Sequence, residues 1–309
     1  MQSFSSNTKL MLTGEYLALK GALSLALPLK FTQKLTVNET DGTPSLKWKS
    51  MINNDLWFYN TLLLPDLRVT ETNNPDLSKT LCKILKTAKI LNPKFLDKTI
   101  ALNVTSGMDF NPSWGIGSSS SLISNIAYWA DCDPFALNQL IFNGSGYDIA
   151  CARSYSPIIY NINQNKPSFR NATFHPVFRD RLYFIYLNHK QNSKESVLKT
   201  DFANIKPADI SAISEITILL ESANDIQTFQ ILIEKHEHLI ANLIHKEPVK
   251  SLLFNDFNGS IKSLGAWGGD FIMAASSESE DYVRNYFVNR NLKTVFKYDE
   301  IVLSEDKKM

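Results

Sequence analysis

The residues best suited to chemistry fall in three short segments. In Trp114-Gly115-Ile116-Gly117-Ser118-Ser119-Ser120-Ser121, two glycines lead into a serine run, directly before the helical stripe Leu122, Ile123, Ile126, Ala127 and Ala130. Glycines let the backbone turn sharply and approach a ligand closely. Helix N-terminal amides point at an anion, and serine hydroxyls add donors or a metal ligand. The chemistry this suits is phosphate binding, although an ordinary helix start with a flexible lead-in has the same spacing. No Gly-Lys-[Ser/Thr] follows and the third glycine of GxGxxG is missing, so neither familiar phosphate fingerprint applies. In the second segment, Gly144-Ser145-Gly146-Tyr147-Asp148-Ile149-Ala150, an acid occupies the first turn of a helix after a glycine-permitted bend. Asp148 is either a dipole-stabilising residue, contributing about 0.3–1 kcal/mol, or a carboxylate that orients or deprotonates a hydroxyl. The third segment, Lys262-Ser263-Leu264-Gly265-Ala266-Trp267-Gly268-Gly269-Asp270, is dense in glycine ahead of a strand, which implies close approach of backbone or ligand.

Two other patterns carry no chemistry on this reading. His236-Glu237-His238 would need a histidine at 240 for a zinc HExxH motif, where Ile240 stands. The two histidines are two apart and face different sides of a helix, so a solvated helix face is expected there. Neither the serine run nor Gly144-Ser145-Gly146 fits a GxSxG elbow, which disfavours a serine hydrolase.

The elements that must position these segments alternate between strand and helix periods. Leu23, Leu25, Leu27, Leu29, Phe31, Leu35 and Val37 share odd positions, as one face of a long bent strand requires, and Ile100, Leu102 and Val104 repeat the pattern. Leu77, Leu81, Ile84, Leu85 and Ala88 are helically spaced after the cap-like Asn74-Pro75, and Asp133-Pro134 starts a further short helix. Strands are expected over 158–162 and 271–275, and helices over 207–222 and 225–245. The continuous apolar run 182–187 opens a second domain, giving an α+β architecture divided as 1–178 and 179–309.

Composition narrows the function classes. The 309 residues include 32 Lys+Arg against 31 Asp+Glu, a net charge of +1 that provides no field for nucleic acid or an acidic membrane. Residues 21–29 form the longest conspicuous apolar stretch, far short of the roughly 20 a membrane helix needs. Glu15 interrupts the apolar run after Lys9, so no secretory leader is expected. Cys82, Cys132 and Cys151 form no CxxC pair and read as reduced thiols of a cytoplasmic protein.

In order, Lys9-Leu10-Met11-Leu12-Thr13-Gly14-Glu15-Tyr16, the Gly-Ile-Gly-Ser-Ser-Ser loop, Gly-Ser-Gly-Tyr-Asp and the late glycine cluster resemble the GHMP kinase superfamily over nearly the whole chain. The mevalonate and phosphomevalonate kinase branch is the most similar. Lys9, Gly14 and Glu15 match the first motif, with Tyr16 in the phosphomevalonate kinase manner. Pro112, Gly115, Gly117, Ser118 and Ser119 match the second, and Gly265-Ala266-Trp267-Gly268-Gly269, followed by Asp270, stands for the third.

The resemblance implies an N-terminal domain like ribosomal protein S5 domain 2 and a ferredoxin-like C-terminal domain, with ATP and a small-molecule acceptor meeting between them. It implies that Gly115, Ile116, Gly117, Ser118, Ser119 and Ser120 wrap the ATP phosphates and that Ser119 is a ligand of Mg2+. Asp148 would accept or orient the acceptor's hydroxyl proton, and Lys9 would stabilise charge on the transferred group. Glu15, Tyr16, Gly146, Gly265, Ala266, Trp267 and Gly268 would fall on the substrate side, where Lys190 and Ser193 match only loosely. Three departures stand out: Pro112 lies one residue closer to its glycine, Trp267 replaces a glycine and could narrow the acceptor pocket, and only Asn138 and Gln139 stand where a second metal-binding glutamate is usual. The expected protein is a cytoplasmic kinase using ATP and Mg2+ without nucleic-acid or membrane partners, and a homodimer is compatible with it. A GHMP-fold binding protein without turnover and a sugar kinase are the alternatives.

Overall fold

A computed structural model describes residues 1–97, 100–164, 166–190 and 204–304. In chain order the strands and helices begin with β1 (Gln2–Met11), β2 (Ser24–Thr40), β3 (Ser45–Ile52), β4 (Asp55–Leu63), β5 (Arg68–Thr72), α1 (Pro75–Leu91) and β6 (Ala101–Met108). Next come α2 (Ser118–Trp129), α3 (Pro134–Phe142), α4 (Tyr147–Ala152), β7 (Ile158–Asn163), β8 (Lys166–Asn171) and β9 (Leu182–Tyr186). The chain closes with α5 (Pro207–Glu221), α6 (Ile226–Leu243), α7 (Val249–Leu253), β10 (Ser260–Ser263), β11 (Phe271–Ala275), α8 (Glu280–Val288), β12 (Val295–Lys297) and α9 (Tyr298–Ile301).

The chain forms two compact units: Met1–Thr8, Phe31–Pro112 and Gly117–Arg153 in the first, Lys9–Lys30, Ser113–Ile116 and Ser154–Met309 in the second. In the first, strands run in the order β5-β4-β3-β6-β2. All neighbours are antiparallel except β3 and β6, which pair in parallel from Ser45 opposite Ala101 to Ile52 opposite Met108. Their alternating apolar faces do what the period-two pattern requires. Leu35, Val37, Leu46, Trp48, Leu102 and Val104 turn inward and are covered by Leu81, Ile84 and Leu85 of α1, Ile123 and Ile126 of α2, and Leu137 of α3.

In the second unit the start of β2 pairs with β7, and β7 with β8. A separate four-stranded antiparallel sheet has the order β10-β11-β9-β12. The run at 182–187 has no alternation because β9 is an interior strand, flanked by β11 and β12 and buried at every residue. Val283 and Phe287 of α8 pack on this sheet with Phe254 and Phe257. Among the described residues no helix is long and apolar enough to cross a membrane.

How the helices begin separates scaffold from site. Asn74 caps α1, Asp133 caps α3, Asp225 caps α6 and Ser279 caps α8, each side chain accepting from a first-turn amide. By contrast, α2 and α4 start on glycines with positive φ, Gly117 at 104° and Gly146 at 91°, and neither has a side-chain cap bond. In α4 the backbone serves instead, the Ile149 and Ala150 amides donating to Gly146 O at 3.0 and 3.1 Å.

Candidate functional site

The first unit supplies the serine helix and the aspartate. Helix α2 begins at Ser118, so the serines form its first turn. The serines divide by position: Ser119 is exposed and Ser118 half-buried, whereas Ser120 and Ser121 are buried, Ser120 Oγ donating back to the carbonyl of Gly117 at 2.9 Å. A buried polar network fastens the helix to β2. Ser121 Oγ donates to Gln33 Oε1 at 2.6 Å, Asn125 Nδ2 to Gln33 O at 2.7 Å, and Ser6 Oγ to Asn125 Oδ1 at 2.7 Å. Asp148 is half-buried in the first turn of α4, where its Oδ1 accepts from the amide of Ile149 at 3.1 Å. Arg153, just beyond α4, donates from Nε to Ser124 Oγ at 3.0 Å and lies over the Tyr128 ring, so α4 is held against α2. Of the two residues standing for the missing glutamate, Gln139 donates to Asn143 Oδ1 at 2.5 Å, and Asn138 is buried with Oδ1 unpartnered among the described residues.

The second unit brings parts of all three motifs together. The amide of Lys9 donates to Ile116 O at 2.8 Å, and Lys9 Nζ reaches Gly115 O at 3.5 Å, so β1 of the first motif is stitched to the glycine loop of the second. Gly115 has φ +71, and a Cβ placed there would lie 2.3 Å from Asp270 Cγ. No side chain other than hydrogen fits at this position. Asp270 itself is buried, with its amide donating to His189 O at 2.6 Å. Gly14 is similarly confined, its virtual Cβ lying 2.1 Å from Ser24 Oγ at φ +88.

Motif one is tied to motif three by buried polar contacts. Tyr16 donates its hydroxyl to Ala266 O at 2.9 Å, and Lys262 donates to Glu15 Oε1 in a fully buried ion pair. His236 Nε2 accepts the Gly14 amide at 3.0 Å, which assigns the ring proton to Nδ1. Glu237 accepts from the Ser263 amide and hydroxyl at 3.0 and 2.9 Å. Burial pushes the Glu15 carboxyl up to about 7, with Lys262 pulling it part of the way back. Burial raises Glu237 too, and it holds His236 well below its ordinary value, with the nearby Lys262 cation acting in the same direction. The Tyr16 hydroxyl is raised by burial and by Glu15, so it stays a proton donor to Ala266. Tyr16, Trp267 and Asp270 all adopt positive φ (64°, 53° and 54°), a concentration of strain typical of functional loops.

Two expectations need correction. His236 and Glu237 do not lie on a solvated face: they are 0% and 1% exposed, and only His238 of that trio is outside. Trp267 is 2% exposed, its ring packed among Tyr16, Leu17, Ala22, Ile213, Ile240 and Ala241, so it fills the core rather than narrowing a pocket. Lys190 is exposed just beyond β9, and Ser193 lies outside the described residues. The sequence reading missed the role of Asp270 against Gly115. It also missed Lys246, which reaches Trp267 O at 3.3 Å. The glycine density of 265–269 is the signal the sequence carries there; nothing local points to Lys246.

Within the second unit, then, a glycine position that admits no side chain lies against the buried Asp270 carboxylate and beside Lys9; the first unit by itself carries the serine helix and Asp148. Family profiles match no part of the chain, and no curated protein matches its sequence. Solved structures do match across nearly its full length. Phosphomevalonate kinase of Streptococcus pneumoniae, in complex with phosphomevalonate and AMPPNP, is 16% identical with a TM-score of 0.71, covering 96% of this chain and 100% of that one. L. major mevalonate kinase in complex with R-mevalonate is 16% identical with a TM-score of 0.69, covering 99% and 97%. Lactococcus lactis galactokinase complexed with galactose is 12% identical at a TM-score of 0.64, covering 98% and 93%. The chain has the fold of the GHMP kinases, and the expected α+β architecture is the one found.

Proposed function

We propose that this protein is a GHMP-type phosphotransferase that moves the γ-phosphoryl group of ATP to the hydroxyl or phosphate monoester of a small acceptor, mevalonate or phosphomevalonate in the first place. The observation that carries this reading is the convergence of Lys9, Gly115 and Asp270 within one unit, together with an uncapped serine helix packed against the helix of Asp148 in the other. On this reading the amides from Gly115 to Ser120 hold the nucleotide phosphates, and Ser118 and Ser119 are the two serines of the run that are not buried. Asp148 orients the acceptor O–H and takes its proton as the new P–O bond forms and ADP leaves, while Lys9 stabilises charge on the moving group. Positioning and charge neutralisation supply most of the acceleration in such transfers.

Among the described residues no three His, Cys, Asp or Glu side chains cluster around a metal position. Were Mg2+ to arrive with the nucleotide, the exposed Ser119 would be its protein ligand. When bound, the ion would neutralise phosphate charge. With its ring buried in the core, Trp267 does not count against turnover. The experiment is ADP release from MgATP against mevalonate, phosphomevalonate, homoserine, galactose and other sugars. Asp148→Asn should keep ATP affinity and lower kcat by at least about 100-fold. ATP binding without ADP release for any acceptor would sink the kinase reading.

A further inference from the structure

We propose that His236 and Glu237, adjacent on α6, are positioning residues that lock the first-motif turn and the third-motif loop into one body; the catalytic consequence rests on the kinase reading above. The geometry is a closed ring of three dipeptides. Gly14-Glu15 joins Lys262-Ser263 through the Glu15–Lys262 ion pair. Lys262-Ser263 joins His236-Glu237 through the two Ser263–Glu237 hydrogen bonds. His236-Glu237 returns to Gly14-Glu15 through the 3.0 Å bond from the Gly14 amide to His236 Nε2. Every side chain in the ring is at least nine-tenths buried: Glu15 is 2% exposed, His236 0%, Glu237 1%, Lys262 0% and Ser263 4%.

Consecutive helical residues project about 100° apart, so a single turn of α6 can grip two different loops only when each meets it on a separate flank. That condition is met: the His236 contact is to the turn after β1, and the Glu237 contacts are to the end of β10 and, at 3.3 Å, the Val249 amide. Burying so much charge is a poor route to stability, since apolar replacements often do as well or better. What a ring provides that an apolar core does not is direction and register, because no member can shift without stranding a buried polar partner. The ring sits beside the chemistry: Lys9 precedes Gly14 on the same segment, and the loop after Ser263 ends at Asp270, against Gly115. Tyr16 adds a second tie to the same loop at Ala266 O.

The test compares the full-length wild type with His236→Leu, which keeps bulk without an acceptor, and His236→Gln, which restores an acceptor. Hydrogen exchange should accelerate at least about tenfold in His236→Leu, both around Gly14 and across 264–270, with β9 and β11 still protected and His236→Gln close to wild type. In the kinase assay kcat/KM should fall about 10- to 100-fold, mostly in kcat, with partial rescue by His236→Gln. Faster exchange confined to Gly14, or unaltered kcat/KM, would overturn the proposal. If His236→Leu fails to fold, Glu237→Gln takes its place with the same readouts, because it must weaken the grip on Ser263. A wild type that releases no ADP removes the catalytic role together with the kinase reading, while the exchange arm decides the ring independently.

Discussion

Gly115→Ala isolates the contact on which the second and third motifs meet. Two physical terms add. The native φ of +71 is in the left-handed region, which costs a residue bearing a Cβ about 1–2 kcal/mol. The new methyl would also lie 2.3 Å from Asp270 Cγ and 2.5 Å from each carboxylate oxygen, well inside contact distance. Asp270 is 7% exposed and short, so it cannot swing clear as a long surface side chain would. Overpacking of this kind adds about 1–3 kcal/mol, for a total of about 2–5 kcal/mol. In an Asp270→Gly background the overlap vanishes and only the backbone term of about 1–2 kcal/mol should remain, leaving a coupling of about 1–3 kcal/mol. Urea unfolding of the four proteins, followed by tryptophan fluorescence, measures each corner of this cycle. Gly115→Ala within about 0.5 kcal/mol of wild type, or an equal loss in both backgrounds, would refute the assignment of Gly115 and Asp270 as partners.

Other outcomes follow from the buried charges and the core. Glu15 has its carboxyl raised from 4.5 to about 7, so the folded state binds its proton more tightly than the unfolded chain. Its contribution is largest below pH 4.5 and is lost as pH rises through 7. Relative to Glu15→Gln, wild type should therefore gain up to about 3 kcal/mol between pH 8 and 4.5; parallel pH profiles in urea unfolding would contradict this. Glu221 shows the opposite sign. Arg170, 2.6 Å away, and the Thr173 amide hold its carboxyl below 4.5, so Arg170→Ala should cost about 1–2 kcal/mol at neutral pH. That difference should shrink as pH falls below 4.5, and a gap that persists at pH 3 would argue against it. Trp267→Ala should lower stability by about 3–5 kcal/mol because the ring is core; calorimetry showing no loss would return it to the surface.

Much of the fold was legible because it is written in local periods and caps. The Asn74-Pro75 and Asp133-Pro134 signals open α1 and α3, with side-chain bonds to Leu77 and Phe135 as the chemistry requires. The apolar run at 182–187 marks an interior strand, and the odd-position pattern of 23–37 becomes β2. The same local logic placed the serine run one turn too late as helix, since serine is a modest helix former and a glycine start has no cap to announce it.

The site was legible only where ligand-facing backbone demands glycine. Its supporting shell was not, for a physical reason. His236 and Glu237 occupy a helix whose sequence reads as polar there, and nothing within α6 says that their partners are 222 and 26 residues away. A charged side chain inside a protein is paired, and the pair is set by tertiary structure rather than by spacing. Lys262 and Glu15 illustrate this: each looks like a surface charge in its own segment, yet they neutralise one another at a separation of 247 residues. Trp267 errs in the other direction, since a tryptophan among glycines suggests an intrusion into the loop. Its positive φ instead turns the ring back into the core, and the loop keeps its bare backbone without the glycine usual at that position.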